Sequence, residues 1–188
     1  MKAEGIPPSG EQQVRSGRVL TPANVVSFSR VPLAVAFVLL PAAGVRLVVL
    51  AVAAGTDLLD GWLARRLGPS RLGAWMDPVT DKIFMLTAFA ALAVSGALGP
   101  FEIAGALFRD VVAPAGYLTS VIARRPFRVP PARVGGKAVT VGQTLTLFAW
   151  LLESPLLRPL AWATAAMALY AIADYGRLAV RGVERPPS

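Results

Sequence analysis

Six apolar stretches, each closed by helix-breaking residues, dominate this chain and leave it few folds to choose from. They run from about Val25 to Leu40, Val45 to Leu67, Ala74 to Leu98, Phe101 to Ala123, Ala138 to Leu152 and Pro155 to Val180. A bilayer's hydrocarbon core is roughly 30 Å thick and takes about 20 helical residues to cross, which is the scale of these stretches. The joints carry Pro41 and Gly44, Gly68-Pro69-Ser70, Gly99-Pro100, Pro126 to Gly136 with its Pro130-Pro131 pair, and Ser154-Pro155, all turn or breaker signals. Strand patterns are absent, and in lipid a spanning segment must satisfy its own backbone polar groups. The pattern predicts an all-α integral membrane protein with six transmembrane helices. It divides into a cytoplasmic tail or interfacial segment over 1–20, a membrane domain over 21–182 and a cytoplasmic tail over 183–188.

Composition agrees: 55% of the residues are hydrophobic and 16% charged, whereas a soluble domain carries about a quarter charged residues. The polar first 20 residues hold Pro7 and Pro8 and contain no apolar run of signal-peptide length.

The net charge of +8 reads as topology. Placing both termini and the second-to-third and fourth-to-fifth loops on one side gathers Lys2, Arg15, Arg18, Arg65, Arg66, Arg71, Arg124, Arg125, Arg128, Arg133, Lys137, Arg177, Arg181 and Arg185 there. The other side keeps Arg46 and Arg158. By the positive-inside rule both termini are cytoplasmic, which requires an even number of spans. The expected location is the inner (cytoplasmic) membrane, multi-pass, with membrane lipid as the surrounding partner. Nucleic acid is not an expected partner, because the basic residues are scattered and no aromatic stacking platform accompanies them.

Charges inside spans mark function. Here Asp57, Asp60, Asp77 and Asp81 flank the second-to-third loop. Asp57, Asp60, Gly61 and Ala64 share one helical face, and Asp77 and Asp81 are one turn apart with Gly73 a turn before them. Four clustered carboxylates repel unless cations are present. An all-oxygen donor set selects hard divalent ions, Mg²⁺ or Mn²⁺, and four carboxylates balance two of them, an arrangement suited to displacement at phosphorus. Gly61, Ala64 and Gly73 leave room for a bulky ligand such as a nucleotide, and Arg65 is placed to meet phosphate oxygens. The chain has no histidine and no cysteine, so acid–base chemistry falls to carboxylates or lysines.

Written out, the segment is Asp57-x2-Asp60-Gly61-x2-Ala64-Arg65-x7-Gly73-x3-Asp77-x3-Asp81. It resembles the CDP-alcohol phosphotransferase (CDP-alcohol phosphatidyltransferase) family, whose signature is D-x2-D-G-x2-A-R, a short spacer, then G-x3-D-x3-D. All eight signature residues match within a 25-residue window, and the spacer of seven residues is one shorter than usual. The resemblance implies a six-helix domain with a polar, cytoplasm-facing active-site cavity. It also implies two divalent ions held by Asp57, Asp60, Asp77 and Asp81, and a nucleotide site at Asp57, Gly61, Ala64, Arg65 and Gly73. Asp81 becomes the catalytic base, taking a proton from an acceptor alcohol that attacks the β-phosphorus of CDP-diacylglycerol while CMP leaves. A homodimer is implied by the resemblance alone. UbiA-like prenyltransferases are much longer and space their aspartates differently, and a non-catalytic scaffold leaves the Gly-Asp pattern unexplained.

The acceptor is read from flanking motifs. Asp77-Pro78-Val79-Thr80-Asp81-Lys82 looks like the form typical of phosphatidylglycerophosphate synthases and the related cardiolipin synthases. Asn24 to Arg30 is similar to the N-x-L-T-x-x-R opening of that branch's first span, and Gly136 to Gln143 resembles its G-K-x-K-T-x-x-Q stretch, with Val139 at the second lysine position. A phosphate-bearing acceptor needs cations near Asp81, and Arg109, Lys137 and Arg30 are the candidates. Glycerol 3-phosphate is the first expectation. The Arg109-Asp110 pair is similar to cardiolipin synthases that use phosphatidylglycerol, which makes that lipid the alternative.

Overall fold

The structure, a computed structural model, describes the backbone of residues 22–67, 73–122 and 134–183 and the side chains of 25–56, 59, 78–116, 118–119 and 136–174. The regular structure among the described residues is all helical: α1 (Pro22–Phe28), α2 (Arg30–Leu39), α3 (Ala43–Leu67), α4 (Gly73–Ser95), α5 (Pro100–Ile122), α6 (Val134–Leu151) and α7 (Leu157–Val183). Five of the apolar stretches each become one helix, and the first becomes two.

That division falls at Ser29 and has a local cause. Pro32 lacks the N–H that would close on the Phe28 carbonyl. Ser29 instead bonds backward, its N–H to the Val25 and Val26 carbonyls at 3.1 and 3.2 Å and its hydroxyl to the Val26 carbonyl at 2.6 Å. The interruption leaves Arg30 as the first residue of α2. At the far end of α4 the chain turns through Gly96 at φ 70°, a conformation open to glycine without a Cβ penalty. α6 closes on Glu153 at φ 51°, with Ser154 N–H reaching back to the Ala149 carbonyl at 2.8 Å.

Two groups of helices pack together. α1 and α2 lie on α3 and α4, while α7 runs along both α5 and α6; α3 and α4 meet α6 between the groups. The α7 contacts are made by small residues. A Cβ on Gly105 would lie 2.8 Å from the Ala165 Cβ, and one on Gly142 would lie 2.6 Å from the Thr164 Oγ1. Close approach of this kind is how helices associate in lipid, where apolar burial gives no net drive. The core between the groups holds Phe37, Leu50, Phe84, Phe89, Leu92 and Leu147, with the Phe37 and Phe84 rings edge to face at 5.9 Å.

Large apolar side chains also point outward, among them Val48, Val52, Val94, Phe101, Val111, Trp162, Leu169 and Tyr170. Among the described residues, Pro78–Ser95 is the helix segment long and apolar enough by itself to cross a membrane; Val25–Leu39 and Ala43–Thr56 are shorter apolar helices.

Both basic residues expected on the less charged side have defined partners. Arg46 donates from Nε to the Phe37 carbonyl at 2.8 Å and lies over the Phe37 and Trp150 rings at 5.4 and 5.6 Å. Arg158 reaches Glu102 at 3.9 Å.

Candidate active site

α3 carries Asp57, Asp60, Gly61, Ala64 and Arg65 in its second half, and α4 carries Gly73 and Asp77 in its first turns. The backbone therefore has the helical spacing assumed for these residues, on two helices flanking the segment 68–72. Their side chains lie outside the described residues. Asp81 is the one member of the aspartate quartet whose side chain is described, and among the described residues no three acidic groups come together that could hold a metal ion.

Asp81 lines a cavity of about 210 Å³ between α2, α3, α4 and α6. Arg30 lines the same cavity and is 2% exposed, the largest fully buried side chain described. Most of the remaining wall is apolar, with Leu50, Ala53 and Ala54 from α3, Phe84 and Met85 from α4, and Val141, Leu145 and Phe148 from α6. Thr140 and Thr144, one turn apart on α6, add hydroxyls, and the Thr144 hydroxyl donates to the Thr140 carbonyl at 2.9 Å. The cavity is thus a greasy slot with one carboxylate and one guanidinium, suited to an amphiphile whose polar end is anionic.

The other two acceptor candidates are not among its lining residues. Arg109 on α5 donates from Nη1 to the Gly136 carbonyl near the start of α6 at 3.0 Å, and its Nε is buried without a hydrogen-bond partner among the described residues. Lys137, next to that carbonyl, is exposed. Both therefore sit where α5 meets the first turn of α6.

Beside Asp81 the structure contains a polar cluster that spacing alone does not reveal. The Lys82 ammonium donates to the Asp110 backbone carbonyl at 3.2 Å and lies 3.9 Å from the Asp110 carboxylate. Gln143, 1% exposed, donates from one Nε2 to the Asp110 carboxylate at 2.6 Å and to the Ala106 carbonyl at 2.9 Å. One carboxylate thereby ties α4, α5 and α6 together. Gln143 was visible in sequence only as the last residue of the Gly136 to Gln143 motif.

Comparison with known proteins fits this arrangement. A sequence profile of the CDP-alcohol phosphatidyltransferases matches residues 20–173, and the chain belongs to that family, whose members are membrane-associated. A Mycobacterium tuberculosis protein provisionally named a cardiolipin synthase is 34% identical over 137 residues, 70% of this chain and 65% of that protein. The cardiolipin synthase (CMP-forming) of Streptomyces coelicolor is 37% identical over 102 residues, 46% of this chain and 47% of its own length. A CDP-diacylglycerol–glycerol-3-phosphate 3-phosphatidyltransferase of Pseudomonas fluorescens is 53% identical over 45 residues, 23% of each chain. The chain thus spans less than two thirds of the length of the curated relatives it matches.

Proposed function

We propose that this chain is a phospholipid-synthesising phosphatidyltransferase that moves a phosphatidyl group from CDP-diacylglycerol to an acceptor alcohol and releases CMP. The observation that carries the reading is the cavity shared by Asp81 and Arg30 at the end of the family's aspartate signature. Asp81 takes the proton of the acceptor hydroxyl, the resulting oxygen attacks the β-phosphorus, and the bond from that phosphorus to CMP's phosphate oxygen breaks. Arg30 holds an anionic phosphate beside the carboxylate, by charge-assisted hydrogen bonds.

Asp57, Asp60 and Asp77, with Asp81, are the residues proposed to hold two divalent ions, Mg²⁺ or Mn²⁺; an all-carboxylate donor set fits hard cations. Bound there, the ions supply charge neutralisation of the diphosphate. Asp57, Gly61, Ala64, Arg65 and Gly73 are proposed to form the nucleotide site. Arg109 and Lys137, at the α5–α6 junction, are proposed to draw the acceptor's phosphate toward the site rather than to line it. Six spans, cytoplasmic termini, an inner-membrane location and a homodimer complete the reading. The outward apolar side chains on α3, α5 and α7 support its membrane part.

Two acceptors compete. The Asp77 to Lys82 motif favours glycerol 3-phosphate. The apolar wall of the cavity favours phosphatidylglycerol, as do the names of the two relatives matched over more than a hundred residues. The test offers glycerol 3-phosphate, phosphatidylglycerol and inositol phosphate with CDP-diacylglycerol to the purified protein and identifies the lipid product. CMP release without an acceptor or without divalent metal, or full activity in Asp81→Asn, overturns the mechanism.

A further inference from the structure

Lys82 follows Asp81 directly, and successive residues on a helix point about 100° apart. The two side chains accordingly serve different neighbours. Asp81 lines the cavity between α2, α3 and α6, while Lys82 crosses to Asp110 on α5, a helix that contributes nothing to the cavity's lining.

The acceptor that Lys82 finds is created by a proline. Pro114 lies inside α5, and it lacks the N–H that would close the helical turn on the residue four positions before it. That residue is Asp110, whose carbonyl takes the Lys82 ammonium at 3.2 Å. Gln143 then fixes the Asp110 side chain from α6. A second example lies at the end of α2, where Pro41 leaves the Phe37 carbonyl without its helical N–H and Arg46 donates to it.

We propose that Pro114, Asp110 and Gln143 form a docking notch for Lys82 that sets the rotation of α4 and so holds Asp81 toward its cavity. Lys82 and Pro114 are positioning residues, acting through Asp81; the inference rests on the reading of Asp81 as the base. Rotating α4 by a fraction of the angle between neighbouring side chains moves the carboxylate away from the acceptor hydroxyl. The chemical step suffers, while binding of the acceptor, whose phosphate is assigned to Arg30 on α2, does not.

The experiment compares wild type, Pro114→Ala, Lys82→Met and the double variant in detergent, with CMP release from CDP-diacylglycerol measured in Mn²⁺ using phosphatidylglycerol and glycerol 3-phosphate in parallel. Pro114→Ala restores an N–H that competes for the Asp110 carbonyl. It is expected to lower kcat about tenfold with the acceptor KM within about twofold. In the Lys82→Met background the same change is expected to add less than about a twofold loss, because both variants disrupt one contact. Independent losses that multiply overturn the proposal and leave Pro114 a packing residue.

A second readout does not depend on turnover. The natural chain has no cysteine, so Asp81→Cys places a single thiol at the cavity. Its labelling by a small charged methanethiosulfonate is expected to slow about fivefold when Pro114→Ala is added, since exposure of the thiolate governs its reaction. An unchanged labelling rate refutes the notch. Full activity in Asp81→Asn refutes the base instead, and leaves the labelling result standing.

Discussion

Arg30, the first residue of α2, and Asp81, on α4, line one cavity. A basic and an acidic group are thereby placed together in a wall that is otherwise mostly apolar. If Arg30 holds a substrate phosphate there, its planar fork is what matters, and lysine does not replace it. Arg30→Lys is expected to lose about tenfold in kcat/KM and Arg30→Met about a hundredfold, the scale of one or two charge-assisted bonds. Steady-state kinetics with varied acceptor checks this. A loss confined to the CDP-diacylglycerol KM would move Arg30 to the donor lipid.

Much of this arrangement can be read from sequence, for identifiable reasons. Apolar runs and breakers report helix ends well because proline and glycine act locally, as Gly99-Pro100 at the start of α5 and Gly96 after α4 illustrate. The break between α1 and α2 at Ser29 is harder to see, since hydropathy continues across it and the cause is one missing N–H at Pro32. Asp81 is legible from its signature. Lys82, Asp110 and Gln143 are not legible as a unit, because their contact depends on how α4, α5 and α6 pack. Arg109 illustrates the same limit: its bond to the Gly136 carbonyl, like the engagement of the neighbouring Asp110 carboxylate by Lys82 and Gln143, depends on how the helices pack.

The divalent-metal assignment predicts that chelation abolishes CMP release and that Mg²⁺ or Mn²⁺ restores it. Asp57→Asn, Asp60→Asn and Asp77→Asn are each expected to cut turnover about a hundredfold or more, the scale of losing one preorganised charge-stabilising group. Thermal unfolding in detergent should find all three folded. Retained turnover would remove these aspartates from the metal site.

The glycines on α5 and α6 predict a stability contrast. Gly105→Ala drives a methyl into the Ala165 Cβ, and Gly142→Ala drives one into Thr164 and Met167. Each is expected to cost about 1–3 kcal/mol through overpacking. Gly116→Ala, where an added Cβ meets nothing within 4 Å, is expected to be neutral or to stabilise by about 0.5–1 kcal/mol, since alanine is the better helix former. Unfolding midpoints of the three variants check the order.

Glu102 and Arg158 form an ion pair at 3.9 Å whose partners are unequal. The Arg158 side chain is 72% exposed and that of Glu102 is 11% exposed, so solvent screens the arginine and its loss is expected to cost no more than about 0.5 kcal/mol. Glu102 has a second task. Its carboxylate accepts the Gly99 N–H at 2.6 Å, reaching back from the first turn of α5 to the residue before Pro100 as in a capping box. Removing it strands a backbone donor at the start of the helix, and Glu102→Ala is expected to cost about 1–2 kcal/mol. Glu102→Gln retains an acceptor and is expected to recover most of that loss while giving up the charge. If Arg158→Ala destabilised as much as Glu102→Ala in thermal unfolding, the ion pair rather than the cap would hold this end of α5.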